Sequence, residues 1–282
     1  MSTSTPTRPT RRRPDRLLRA VPWCFGVAAV GVQIVFPLAG GSLPLTLGSV
    51  ALLTLASLSH ALVQRGPAAA AGLVVVAGGG GLLAEAIGLG TGLPFGSYAY
   101  SGTLGWEVAG VPVVVPAAWT MMAYPALLVG RRLAGLVGRR SRVVVVGLGA
   151  WALASWDVFL DPQMVDAGHW TWRSPTPALP GVEGIPLSNF AGWLLVAVLM
   201  IAVLDAVLPE DGRAGGGAGT RDPDDRLPFA LYLWTYASSV LAHTVFFGRP
   251  SVALVGGVLM GLVAVPLALS LRRPDVARGL PS

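Results

Sequence analysis

Long apolar stretches separated by short polar connections dominate this chain. A helix needs about 20 residues to cross the hydrocarbon core of a bilayer, and eight stretches come close to that length. We place them at 20–39, 43–63, 67–89, 111–130, 142–160, 186–208, 228–247 and 251–271. The pattern therefore predicts an all-α fold, a polytopic transmembrane helix bundle of about eight spans.

The predicted spans occupy nearly the whole chain, which favours one bundle over two domains. We expect a single transmembrane helical domain over 20–271, preceded by a disordered basic tail at 1–19 and followed by a short tail at 272–282. The segment 209–227 is rich in Gly, Asp and Arg, which is typical of a flexible loop.

The basic residues alternate with the predicted spans. All 20 are Arg, and only Arg173 and Arg249 fall on the side opposite to the rest. The positive-inside rule then places both termini and the loop 209–227 in the cytoplasm, in a multi-pass protein of the cell membrane. The net charge of +6 is explained by this topology and by contact with membrane lipid, so no nucleic-acid partner is expected.

Cysteine and histidine are scarce. The single Cys24 excludes an internal disulfide, and the three His residues show no metal-ligand spacing, so no metal site is expected. The glycine run 78–81 lies within a predicted helix, where close helix packing explains it better than a phosphate-binding loop. No nucleotide cofactor is expected.

Two carboxylates stand at the end of an otherwise apolar helix. Asp157 and Asp161 are four residues apart, with Trp156 beside the first. This spacing stacks both acids on one helix face. Because a charge in a membrane helix costs roughly 2.5–3.5 kcal/mol, such residues usually carry function.

Other polar and aromatic residues lie at the same depth as this pair. Glu85, Asn189 and His243 fall near the outer ends of three further predicted spans, and Trp119 lies in the outer half of another. The sequence therefore predicts one polar layer near the outer face. Asp205 is the exception at the inner end, where we expect it to pair with an Arg.

A weak internal repeat links two parts of the chain. The segments 110–119 and 184–193 each run from Gly through a Pro to Trp over the same spacing, and each follows a helix with an acid near its outer end. A duplicated helix pair around a shared cavity would bring Glu85 near Asp157. Chance similarity is the alternative, because Gly-Val-Pro is a common start for a helix.

Two groups of motifs occur in order along the centre of the chain. The first comprises Pro94-Phe95-Gly96-x-Tyr98-x-Tyr100, Leu104-Gly105, Gly110-Val111-Pro112 and Ala118-Trp119. The second comprises Trp156-Asp157-x-Phe159-x-Asp161-Pro162-Gln163-Met164, Gly168-x-Trp170 and Gly184-Ile185-Pro186-Leu187-x-Asn189-Phe190-x-Gly192-Trp193. Together they resemble the integral-membrane carotenoid hydratase family of carotenoid biosynthesis proteins. The resemblance runs from about Glu85 to Trp193.

The resemblance implies a cofactor-independent hydratase, a hydro-lyase of carotenoid biosynthesis. Such enzymes add water across the terminal isopropylidene double bond of an acyclic, isoprenoid carotenoid end and give a tertiary alcohol. We expect the substrate to be a carotenoid of the bacterioruberin-precursor type, and we expect the protein to bind it within membrane lipid. The resemblance leaves open the oligomeric state and an association with other membrane enzymes of the same pathway.

This chemistry needs a proton donor and a site where a tertiary cation survives until water captures it. A carboxylic acid in an apolar site can keep its proton, and an ionised one nearby can stabilise the cation. Asp157 is our favoured acid, with Asp161 or Glu85 as the anionic partner. Substrate-binding contacts are expected from Phe95, Tyr98, Tyr100, Trp119, Trp156, Asn189 and His243.

Several alternatives remain open. Asp161 precedes Pro162 and could simply end its helix, Glu85 could be an interhelical hydrogen-bond partner, and His243 could be a packing residue. A carotenoid cyclase would use the same protonation but capture the cation with an internal double bond. A membrane transporter or scaffold would also place acids at one depth.

Overall fold

The computed structural model describes residues 16–138, 141–209 and 223–272. Most of the predicted basic N-terminal tail, the predicted flexible loop and the C-terminal tail therefore lie outside the described residues.

Nine α-helices form the framework of the described chain. They are α1 (Arg16–Leu38), α2 (Leu43–Arg65), α3 (Pro67–Leu73), α4 (Gly80–Thr91), α5 (Val114–Leu136), α6 (Arg142–Asp166), α7 (Leu187–Val207), α8 (Arg226–Leu241) and α9 (Pro250–Arg272). A π-helical segment, Val74–Gly79, joins α3 to α4, and a second, Ala242–Phe246, extends α8. Each predicted apolar stretch thus coincides with one continuous helical segment.

Six of these segments are long and apolar enough to cross a membrane. They are Leu17–Leu38, Leu43–Arg65, Pro67–Thr91, Arg142–Asp166, Leu187–Val207 and Pro250–Arg272. The described chain is therefore an α-helical polytopic bundle with six candidate spans. The count of eight spans and the side on which the termini lie remain predictions.

Three boundaries of the continuous helical segments differ from the predicted ones by four residues or more, among them the end of α5, which lies at Leu136 and not at 130. Helix α1 begins at Arg16, inside the predicted tail, because Leu, Arg and Ala at 17–20 are good helix formers. Helix α6 continues through Pro162 to Asp166, so the alternative in which Asp161 ends its helix is wrong. Pro removes only one backbone donor, and membrane helices tolerate this loss when neighbouring groups compensate.

Helix α5 lies at the centre of the bundle. Every residue from 119 to 130 is buried, as expected for a helix surrounded on all sides. Helix α6 packs directly against it, since a Cβ added to Gly130 would lie 2.5 Å from the carbonyl oxygen of Val145. The two central helices therefore carry Trp119 and the acidic pair of α6 into the interior.

The two long connections on the site side contain six short strands, which the all-α prediction did not include. Strand β1 (Tyr98–Tyr100) pairs with β4 (Trp170–Trp172), β2 (Glu107–Val108) with β3 (Val111–Pro112), and β5 (Ala178–Leu179) with β6 (Val182–Pro186), all antiparallel. The alternating aromatic residues of β1 and β4 favour such pairing. The β1–β4 pair ties the two connections together above the helix ends.

Ion pairs hold the opposite end of the bundle. Arg131 donates from Nε to Oδ1 of Asp205 at 2.8 Å, which confirms the pairing predicted for Asp205. Arg65 donates to the Tyr124 hydroxyl at 2.6 Å and to Oδ2 of Asp225 at 2.7 Å. The Arg65 contacts join α2, α5 and the start of α8 at the end of the bundle opposite to the acidic layer.

Candidate active site

Glu85 lies buried on α4 and accepts three hydrogen bonds from aromatic side chains. The hydroxyls of Tyr98 and Tyr100 donate to Oε2 at 2.5 and 2.9 Å, and the indole Nε1 of Trp119 donates to Oε1 at 3.1 Å. Glu85 is therefore an interhelical hydrogen-bond acceptor, as the structural alternative to a catalytic role required, because Trp119 belongs to α5. These three donors fix the orientation of the Glu85 carboxyl group.

Strand β1 positions both tyrosines over Glu85. Burial, reinforced by the Glu85 carboxyl, raises the pKa of the Tyr98 and Tyr100 hydroxyls well above the ordinary value. Both side chains therefore stay protonated and act as donors. The aromatic rings of β4 support them, with Tyr98 opposite Trp172 and Tyr100 opposite Trp170.

Asp157 and Asp161, the acidic pair of α6, both accept hydrogen bonds from one side-chain amide. Asn189, in the first turn of α7, donates from Nδ2 to Oδ2 of Asp157 at 2.9 Å and also to Oδ2 of Asp161. Trp170 donates from Nε1 to Oδ1 of Asp161 at 3.2 Å. Oδ1 of Asp157 is buried and has no hydrogen-bond partner among the described residues. One amide thus holds two carboxyl groups side by side.

Aromatic rings form the wall between the two acidic groups. Trp119 and Trp193 stack with ring centroids 3.9 Å apart and 12° between their planes. Trp156 meets Trp193 edge-on at 6.1 Å. The faces and edges of these indoles present a continuous apolar surface next to the carboxyls.

A cavity of about 70 Å³ lies where these groups converge. Its polar lining includes Glu85, Asp161 and Asn189, and its aromatic lining consists of Phe95, Tyr98, Tyr100, Trp119, Trp170, Trp172 and Trp193. We call this space the carboxylate cavity. Seven of the ten residues predicted from the sequence thus line one cavity. The repeat predicts Glu85 near Asp157, whereas the acid that shares this cavity with Glu85 is Asp161.

The other three predicted residues lie elsewhere. Asp157 lines a small cleft of about 10 Å³ behind Asp161, while Trp156 and His243 line a second cavity of about 280 Å³. His243 donates from Nε2 to the carbonyl oxygen of Phe159 at 3.1 Å. Four residues advance a helix by about 40° beyond one full turn, so Asp157 and Asp161 share a side of α6 while only Asp161 reaches the carboxylate cavity.

Three tryptophans of the cavity were not among the predicted site residues. Trp193 could have been predicted, because it ends the repeated segment 184–193 at the position that corresponds to Trp119. Trp170 belongs to a motif named above and Trp172 follows it in the chain, but their positions at the cavity depend on the long-range β1–β4 pairing. Trp172 also donates to the carbonyl oxygen of Phe95 at 3.0 Å, which fixes that loop against the cavity.

Among residues 16–138, 141–209 and 223–272, no group of three or more His, Cys, Asp or Glu side chains is arranged to hold a metal ion.

The fold and the site define a polytopic α-helical membrane protein with an aromatic, carboxylate-bearing cavity at one end of its bundle. Residues 41–267 match the carotenoid biosynthesis protein family, and the chain belongs to that family. A relative in Haloarcula japonica, described as bisanhydrobacterioruberin hydratase, is 30% identical over 181 residues. The alignment covers 62% of this chain and 58% of that relative.

No solved structure matches this chain. Family membership assigns it to carotenoid biosynthesis, and the aligned region covers less than two thirds of the relative's length.

Proposed function

We propose that the protein is a carotenoid hydratase of the cell membrane that adds water across the terminal isopropylidene double bond of an acyclic carotenoid. The observation that carries this proposal is the carboxylate cavity, in which Asp161 and Glu85 face one small aromatic space. The name of the Haloarcula relative supports a hydratase and a bacterioruberin-type precursor as substrate.

Asp161 is the proposed proton donor, in place of Asp157. Its carboxyl group lines the cavity, whereas Asp157 lies behind it on the same amide. Two neighbouring carboxyls do not readily carry two negative charges, so the pair suits one shared proton. Asp161 transfers that proton to the less substituted alkene carbon, the π electrons form the new C–H bond, and a tertiary cation results.

Glu85 is the proposed anionic partner. It accepts three hydrogen bonds and donates none to the described residues, an arrangement suited to a carboxylate. Its charge stabilises the cation, and the outer face of the Trp119–Trp193 stack adds cation–π attraction of about 0.5–2 kcal/mol.

Water capture completes the reaction. Both hydrogens of the Asn189 amide nitrogen are directed at the acidic pair, which leaves its carbonyl oxygen as an acceptor for water. The water oxygen bonds to the cationic carbon, and its surplus proton returns to Asp161. The net change is addition of one water molecule, with the acid regenerated.

Expression in a host that makes acyclic carotenoids tests this proposal. We expect chromatography and mass spectrometry to show a product heavier by one water per reacted end, with oxygen derived from isotopically labelled water. Asp161→Asn should abolish the product. A cyclised product of unchanged mass would make the protein a cyclase, and no product from any acyclic carotenoid would overturn the enzymatic assignment.

A further inference from the structure

The second cavity lies beside the carboxylate cavity and is four times larger, about 280 against 70 Å³. Helices α1, α2, α5, α6 and α8 contribute its walls. We call this space the chain cavity. Its lining is mainly aliphatic and aromatic, and Trp156 and Met122 form part of its inner surface.

The two cavities share part of their walls. Thr46 and Val50 of α2 and Leu160 and Met164 of α6 line both spaces. Leu160 directly precedes Asp161 in the chain, so the shared wall stands next to the proposed acid. A slender molecule with its end at Asp161 would pass these four residues into the chain cavity.

The far side of the chain cavity reaches the outer surface of the bundle. Ile34 and Leu38 of α1, Leu241 of α8 and Phe246 of the following π-helical segment line the cavity and are exposed. In a bundle that spans a membrane, an exposed apolar rim of this kind faces lipid. A lipophilic molecule could therefore enter sideways from the bilayer without crossing water.

Most polar groups in the chain cavity are satisfied within the wall. Gln33 donates to Ser49 at 3.0 Å and accepts from the indole of Trp234 at 2.7 Å. Nδ1 of His243 is buried without a partner among the described residues. The wall thus presents mainly carbon, and this nitrogen is a buried acceptor available to a polar group of a ligand.

The size of the carboxylate cavity limits what it can hold. A volume of about 70 Å³ is a few times the roughly 10–15 Å³ that a cavity needs to hold one water molecule, so only the reacting end of a long hydrocarbon fits there. The remainder must leave past the cavity wall, and the chain cavity adjoins that wall.

We propose that the chain cavity holds the polyene chain of the substrate, which enters from lipid between α1 and the end of α8 and delivers its end past Leu160 and Met164 to Asp161. This inference rests on the proposed function for the identity of the occupant. It adds a binding region and an access route that explain how a rod-like membrane-dissolved molecule reaches a small buried site.

Filling the chain cavity tests the assignment. Ser239 lines it on α8, and Ser239→Trp should obstruct the chain while leaving the carboxylate cavity intact. The matched control is Ala237→Trp, at an exposed position two residues earlier on the same helix. A milder second variant is Ala242→Leu, also in the cavity wall.

Each protein is purified with its co-extracted pigment and assayed with a full-length acyclic carotenoid and with a short isoprenoid that has the same isopropylidene end. We expect Ser239→Trp to lower kcat/KM for the long substrate at least about tenfold relative to the short one, and to lose bound pigment. Ala242→Leu should also lower the relative kcat/KM for the long substrate and the amount of bound pigment. Ala237→Trp should match the parent in both.

The outcomes separate this inference from the proposed function. If the parent hydrates carotenoids and both wall variants convert the long substrate as well as the parent, the chain-cavity assignment is overturned. If the parent hydrates nothing but retains pigment that Ser239→Trp releases, the chain-cavity assignment stands and the proposed reaction is overturned. If the parent hydrates nothing and co-purifies with phospholipid and no pigment, both proposals are overturned.

Discussion

Trp119 and Trp193 lie face to face, with ring centroids 3.9 Å apart and 12° between the ring planes. They occupy corresponding last positions of the two repeated segments, 110–119 and 184–193. The stack therefore joins the two halves of the repeat at the wall of the carboxylate cavity. Glu85 approaches it from one helix pair and Asp161 from the other.

The stacked pair should contribute both to stability and to turnover. In a double-mutant cycle of Trp119→Phe and Trp193→Phe, we expect a coupling free energy of about 0.5–1.5 kcal/mol from thermal unfolding in detergent. Trp193→Phe removes no hydrogen bond to Glu85, so any loss of hydration in that variant reports on the ring surface alone. A coupling of zero would show that the stack has no energetic role.

Replacing Asp161 by Asn removes the proposed acid while keeping its shape. Because proton transfer by a positioned group accelerates reactions by roughly 10²–10⁴-fold, hydration should fall at least about 100-fold. The NH₂ group of the new amide would face either the amide of Asn189 or the indole N–H of Trp170, so the unfolding free energy should also fall by about 1–3 kcal/mol. The control is Asp166→Asn on the same helix, where the exposed carboxyl pairs with Arg249. Full activity in Asp161→Asn with none in Asp157→Asn would reverse the assignment within the pair.

Glu85→Gln should disturb its three donors. Whichever way the amide lies, its NH₂ group would face either the indole N–H of Trp119 or the hydroxyls of Tyr98 and Tyr100. A buried donor left unsatisfied costs about 1–3 kcal/mol, so the unfolding free energy should fall by that amount and hydration should fall with it. The exposed Glu107→Gln serves as the control, and equal behaviour of the two variants would contradict the carboxylate role.

The predicted close packing of the glycine run is confirmed at Gly81. A Cβ placed there would lie 2.6–2.9 Å from atoms of the Trp119 side chain, whereas one at Gly79 would have nothing within 4 Å. Since Trp119 is fully buried, Gly81→Ala should cost about 1–3 kcal/mol and displace the indole from Glu85. Gly79→Ala should unfold like the parent in the same thermal assay.

Acid should weaken the connection that carries β4. Burial lowers the pKa of the His169 imidazole below its ordinary value of 6.5, so the unfolded chain binds a proton more readily than the folded one. The stabilisation by neutral His169 is fully present above pH 6.5 and is lost as the pH falls below it.

Thermal unfolding at a series of pH values checks this expectation. His169 also contacts the Thr103 hydroxyl through Nδ1 at 2.8 Å. His169→Gln removes the titration, so its unfolding temperature should depend less on pH than that of the parent on the acid side of 6.5. Identical pH profiles for the two proteins would contradict the proposed linkage.

The helical framework could be predicted because apolar length is a local property of the chain. Each predicted stretch became one helical segment, and the pairing of Asp205 with an Arg followed from its position among basic connections. The extension of α6 past Pro162 could not be predicted, because the residue before a proline is more often a helix boundary than an interior position.

Part of the candidate site was also accessible from the residues. Acids in apolar helices are costly, so Glu85, Asp157 and Asp161 stood out without a structure. Which of the two acids of α6 lines the carboxylate cavity could not be predicted, since this depends on the rotation of α6 against α7. Trp170 was missed for a related reason, because its bond to Asp161 requires the long-range pairing of β1 with β4.

The amino-acid sequence by itself determined the class of the protein, its helical segments and the group of polar and aromatic residues at one depth, because hydrophobic length and the cost of burying charge act residue by residue. Only the tertiary structure decided which of these residues share a cavity. It placed Asp161 rather than Asp157 at the carboxylate cavity, moved His243 and Trp156 to the chain cavity, and stacked Trp193 on Trp119. Those relationships arise from how helices and paired strands pack across the bundle, and no local pattern encodes that geometry.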